Sequence, residues 1–183
     1  MNKENKELEL RMYGLVPYNI SAIQQAIQFG HGVVEYGQRY RGEEYDNWAN
    51  NYKTFIILDG GTTNWRISDE DGKMIGTLNQ HLETLIKNDI KYSAFSEPDL
   101  GDQLTAIVFI VDERVFNRKD YPDFEDWVST NIDYDEVEDI STYHDVIHDM
   151  KESKSAIYLS WVDFVGGEKN VFLRDFLKGF KKA

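Results

Sequence analysis

One abrupt change of periodicity, within Leu10–Tyr36, constrains this fold more than any other feature of the chain. A short apolar strand (10–16, centred on Met12–Val16) runs through Pro17-Tyr18-Asn19 into a helix expected over 21–40. Ile23, Ala26, Ile27, Gly30, Val33 and Val34 recur at helical spacing and predict the buried stripe of that helix. Gln24, Gln28, His31 and Glu35 are spaced by four, three and four residues, which places them in a polar line beside the stripe. Small residues at Ala22, Ala26, Gly30 and Gly32 leave room for a second backbone. A polar line next to a buried seam, just after a strand, is a place where α/β proteins put binding sites.

The rest of the chain extends this pattern. Arg41–Asn51 reads as a polar loop around Trp48. Thr54–Asp59 (TFIILD) is a continuous apolar run, expected to be a strand buried on both faces. Gly60-Gly61 ends it, and 64–75 suits a small hairpin around Glu70-Asp71-Gly72. Thr77 and Gln80 form a capping-box pattern at the head of a helix carrying Leu78, Leu82, Leu85 and Ile86. Lys91–Phe95 and Thr105–Val111 (TAIVFIV) complete four strands. The expected class is α/β: a mixed four-stranded sheet sandwiched by helices, with an acidic α+β extension at the C-terminal end. In the extension, Asp120 and Pro122 suit a helix entry ahead of Phe124, Trp127 and Val128. Tyr143, Val146, Ile147 and Met150 suit a second helix. Ser155–Phe164 reads as a strand, and Val171–Phe180 as a last helix. Three segments follow: a polar lead (1–9), an α/β domain (10–111) and the extension (112–183), expected to pack on that domain.

Charge and composition narrow the function. Residues 112–152 hold fourteen carboxylates and four Lys or Arg, so most of the net charge of −13 sits there. Such a surface repels phosphate backbones and attracts basic partners. The chain has no cysteine, which excludes thiolate metal sites, disulfides and cysteine nucleophiles. No apolar run is long enough for a membrane span, and the start lacks a signal-peptide core, so a cytoplasmic protein is expected. No P-loop ending follows Gly60-Gly61, no calcium loop follows Asp69-x-Asp71-Gly72, and no dinucleotide fingerprint occurs, so no cofactor is expected.

Three motifs in order carry a family resemblance. They are AIQFGHGVV on the first helix, with Gln28-x-x-His31; Lys53-Thr54-Phe55 entering the second strand; and FSEPDLGDQLTAIVF, spanning a loop and the last strand. Together, over residues 10–111, they resemble type-2 peptidyl-tRNA hydrolases, in a divergent branch with tailed-phage members. The resemblance implies an α/β sandwich around a mixed four-stranded sheet. It implies hydrolysis of the ester joining a peptide to the tRNA 3′ ribose. By position it assigns Gln28, His31, Thr105 and either Glu97 or Asp99 to catalysis, with Gln24 and Lys53 toward substrate. The chain departs from the family where Gln24 replaces the helix lysine and where the loop lacks a Gly-Arg-Thr-Gln run.

Ester hydrolysis needs a base that activates water and a donor for the developing oxyanion. Glu97 or Asp99 fits the first role; His31, Gln28 or Thr105 fits the second. The structural alternative is that Pro98 fixes a turn, the carboxylates cap it, and Gln28 and His31 satisfy backbone groups. His144 and His148, four apart on a helix, can share a metal with Asp145 or Glu152. The motif has Asp where zinc proteases have Glu and no marked third ligand follows, so two exposed histidines on the polar side of a short helix are the expected reading and no metal is assigned. The expected partners are tRNA or a small ligand for the α/β domain. A second reading makes the chain a non-enzymatic, phage-type protein whose Asp133, Asp135, Glu136, Glu138 and Asp139 engage a basic host protein or mimic nucleic-acid charge.

Overall fold

The computed structural model describes residues 7–42, 44–63, 67–68, 70, 74–131 and 140–183. The chain divides into two compact units, Met1–Glu113 with Asp175–Ala183, and Arg114–Arg174. The acidic run at 132–139 and the turn at 71–72 lie outside the described residues, as does most of the polar lead.

The first unit opens with β1 (Leu10–Val16), α1 (Ala22–Arg39), α2 (Glu44–Asn51) and β2 (Thr54–Asp59). Next come the two-residue strands β3 (Ile67–Ser68) and β4 (Met74–Ile75), then α3 (Thr77–Lys87) and β5 (Ser93–Glu97). A 3-10 turn, Pro98–Leu100, leads into β6 (Gln103–Asp112). The main sheet has the order β2-β1-β6-β5. β2 runs parallel to β1, while β6 is antiparallel to both β1 and β5, so the four-stranded sheet is mixed, as the sequence implies. β3 and β4 pair separately as an antiparallel hairpin.

Alternation along the strands sorts the core into two faces. Met12, Val16, Ala106, Val108 and Ile110 pack with Phe29, Tyr36 and Trp48 from the helices α1 and α2. Gly32 brings α1 against β6: a Cβ there would lie 2.6 Å from a Val108 methyl. At Gly14 the sheet makes room for the Phe29 ring, which a Cβ would meet at 2.2 Å.

The buried face of α1 is not the expected one. Gln28, Phe29, Gly32, Tyr36 and Gly37 are buried, whereas Ile23 is 74% exposed, Val34 57% and Ile27 49%. Aromatic bulk at Phe29 and Tyr36 buries more area than the aliphatic stripe could, and it sets the rotation of the helix. The helix starts with a true capping box. Ser21 accepts from the Gln24 backbone N–H, and the Gln24 side chain accepts from the Ser21 N–H at 3.1 Å.

Three further expectations need correction. Residues 44–51 form a helix instead of a loop; Trp48 anchors it by donating its indole N–H to the Thr54 carbonyl at 3.2 Å. The Thr77-x-x-Gln80 box is absent: α3 is capped by Gly76 without a side-chain bond. Thr77 instead accepts from the Thr62 N–H at 2.8 Å and reaches the Gly60 carbonyl at 3.2 Å. β2 is an edge strand with Phe55 half exposed, so its apolar run does not mean burial on both faces. Residues 181–183 run along this edge, with the Asp59 N–H donating to the Lys181 carbonyl at 2.9 Å and the Ala183 N–H to the Ile57 carbonyl at 3.1 Å.

The second unit contains α4 (Glu113–Phe116, which starts one residue before it), α5 (Phe124–Asn131), α6 (Ile140–Glu152), α7 (Ala156–Phe164) and most of α8 (Glu168–Lys178). Its core is Phe124, Val128, Ile147, Trp161, Val162 and Val165. The expected strand at 155–164 is helix α7. Ile157, Tyr158, Trp161, Val162 and Val165 recur at helical spacing, and Ser155 caps the N-terminus by accepting from the Tyr158 N–H at 3.2 Å. No strand falls among the described residues of this unit. Arg174 is buried, donating to the Arg114 and Tyr121 carbonyls and to Asp123. Among the described residues, no helix is long and apolar enough to cross a membrane.

Candidate functional site

A chain of polar contacts crosses from α1 to the β5–β6 end of the sheet. Thr105 Oγ1 donates to Gln28 Oε1 at 2.7 Å, and Gln28 Nε2 donates to Glu97 Oε2 at 2.6 Å. Thr105 is fully buried and Gln28 is 5% exposed, while Glu97 is half-buried. Each polar atom of the Gln28 amide thus has a partner where an orphan would cost about 1–3 kcal/mol.

A register shift explains how Thr105 reaches Gln28. Phe95 pairs with Ala106 and Ser96 with Leu104, so Thr105 is the extra residue of a β-bulge in β6. Regular alternation would turn Thr105 away from the face that carries Ala106 and Val108. The bulge re-aims it toward α1. The Phe95 carbonyl, 3.3 Å away, gives the hydroxyl a second acceptor.

Glu97 ends β5 and caps the following turn, its Oε1 accepting from the Asp99 N–H at 3.4 Å. Phe95 and Glu97 are two apart on one strand and so share a face. His31 comes to the same face: its ring meets that of Phe95 edge-on, with centroids 4.4 Å apart. His31 is exposed, so solvent reaches the imidazole. The result is a buried Thr105–Gln28 support, a carboxylate held closely at Oε2 and loosely at Oε1, and an exposed imidazole on the same face. Such a carboxylate can take a proton from water, and such an imidazole can donate to a developing negative charge.

Asp99 is exposed on the 3-10 turn and serves there through its backbone N–H. Gln24 is committed to the capping box of α1. Lys53 is exposed at the end of α2, with a φ of 56° that turns the chain into β2. Thr54 aligns with Arg11, and Arg11 with Val111, which puts Lys53 at the opposite end of the sheet from Thr105. Six residues of strand, roughly 20 Å, separate those two levels. Gln28, His31, Glu97 and Thr105 therefore come together, and Gln24 and Lys53 do not join them.

His148 is exposed on α6, and the side chain of His144 lies outside the described residues. Among the described residues, no three His, Asp or Glu side chains gather as a metal site would require. The sequence reading missed the carboxyl end of β2. There Tyr18, Asp59 and His81 line a hollow with Phe176 and Phe180. Burial lowers the pKa of His81 below its usual value. The positional signal was available, since ligands in α/β proteins gather at the carboxyl ends of parallel strands.

A scan against protein-family models finds no match to this chain, and a search of curated proteins finds none either.

Proposed function

We propose that the first unit is a hydrolase of the type-2 peptidyl-tRNA hydrolase kind, cleaving an ester with Glu97 as general base. Gln28, fixed from behind by Thr105, holds Oε2 at 2.6 Å, and Oε1, which accepts only a long 3.4 Å bond from the Asp99 N–H, is the oxygen that deprotonates water. His31 stands on the same face to donate to the oxyanion. The observation that carries this reading is the Gln28 bridge between buried Thr105 and half-exposed Glu97. The mixed four-stranded sheet also agrees with the fold that the resemblance implies.

The test is release of an N-blocked amino acid from charged tRNA by the wild type and by a Glu97→Gln, His31→Ala double variant. Wild-type release with loss in the variant is the expected result. Equal rates would remove the catalytic role.

A further inference from the structure

A cavity of about 610 Å³ opens at the carboxyl end of β2. It lies on the face of the sheet opposite α1: Phe176, in its wall, packs against Phe109, whose neighbours Val108 and Ile110 face α1. Every lining residue belongs to the first unit. The volume falls in the range of small-molecule sites, about 300–1,000 Å³.

Its walls combine aromatic rings with unused polar atoms. His81 meets Phe180 edge-on at 4.8 Å and Phe176 at 5.8 Å, between ring centroids. Neither imidazole nitrogen has a hydrogen-bond partner among the described residues. Burial favours the neutral ring, which keeps one N–H donor and one acceptor nitrogen. Asp59 accepts from the Gly61 N–H at 2.8 Å through Oδ1, and Oδ2 has no hydrogen-bond partner among the described residues. Tyr18, whose N–H donates to the Gly61 carbonyl at 2.9 Å, is also a lining residue. Lys181 also lines the cavity, its backbone carbonyl accepting from the Asp59 N–H at 2.9 Å, so its side chain is the cation within reach.

We propose that this cavity binds a free aromatic α-amino acid. The ring lies among Tyr18, His81, Phe176 and Phe180, the ammonium meets Asp59 Oδ2, and the carboxylate meets Lys181. A plain hydrocarbon would cover the Asp59 Oδ2 atom and leave it without a partner. A phosphate-rich ligand would meet a carboxylate beside a single lysine, in a chain of net charge −13. A zwitterion with an aromatic side chain satisfies both charges and the apolar wall.

The test is calorimetric titration of the full chain with L-tryptophan, tryptamine and indole-3-propionate. Tryptamine keeps the ammonium alone, and indole-3-propionate keeps the carboxylate alone. The expected order places L-tryptophan tightest. Asp59→Asn weakens L-tryptophan and tryptamine by about tenfold and leaves indole-3-propionate within about twofold. Lys181→Met does the reverse, weakening L-tryptophan and indole-3-propionate by about threefold and sparing tryptamine. Lys181 is exposed, so this variant keeps the test open if Asp59→Asn fails to fold. Absence of saturable binding by tryptophan, tyrosine and phenylalanine up to about 1 mM overturns the proposal. So does an Asp59→Asn effect that is the same for tryptamine and indole-3-propionate.

Discussion

Replacing Gln28 and Thr105 singly and together measures whether they form one unit. In Thr105→Val, the Gln28 Oε1 atom loses its donor at a site only 5% exposed. An unsatisfied buried acceptor costs about 1–3 kcal/mol. Gln28→Leu removes the amide and fills the space with hydrocarbon, while Glu97, half-buried, recovers a partner from water. That change costs about 1–2 kcal/mol. Once Gln28 is gone, Thr105→Val removes a hydroxyl left with the Phe95 carbonyl at 3.3 Å, a loss of about 0.5 kcal/mol. The pair is therefore non-additive, with a coupling energy of about 0.5–2.5 kcal/mol. Urea unfolding of the four proteins at one pH gives the cycle, provided the first unit unfolds in a resolved transition. Additivity within about 0.3 kcal/mol would refute the shared network.

Three other outcomes follow from the packing and the titrating groups. Gly14→Ala sets a methyl against the Phe29 ring, and a loss of about 1–3 kcal/mol is expected by the same urea assay. Ser21→Ala removes the side chain that accepts from the Gln24 N–H and costs about 1 kcal/mol, read as a lower melting temperature. Burial depresses His81, so below the ordinary histidine pKa of 6.5 the unfolded chain binds more protons than the folded one. His81 therefore contributes stability that is intact above pH 6.5 and is lost as pH falls toward its folded pKa. Unfolding measured at about pH 7.5 and 5.5 shows a larger acid loss in the wild type than in His81→Phe.

The sheet was legible because its strands are apolar runs separated by turn residues. TAIVFIV and TFIILD have no competing helical reading of that length. The rotation of α1 was not legible, because Ile23, Ile27 and Val34 mimic a core stripe while Phe29 and Tyr36 take the core. α7 shows the same ambiguity: SAIYLSWVDF is apolar at both periods, and only the Ser155 cap and the helical spacing of its buried residues decide it. α2 was hidden by polarity, since Trp48 is its one buried residue. Gln28, His31, Glu97 and Thr105 were nameable from the motif order. What joins them was not, because a one-residue bulge in β6 leaves no mark in sequence yet determines which face Thr105 serves. Lys53 looked like a site residue because it leads a strand, and its strand begins at the far end of the sheet.

The most direct measurement is the single-turnover rate of peptide release from N-acetyl-aminoacyl-tRNA by wild-type protein and by Glu97→Gln. The glutamine keeps the size of the side chain and its contact with Gln28 while removing the basic oxygen. The expected result is release by the wild type, with a drop of about 10²–10⁴-fold in the variant, the span of a lost general base. A Glu97→Gln rate equal to that of the wild type, or a wild-type rate no faster than buffer, contradicts the assignment.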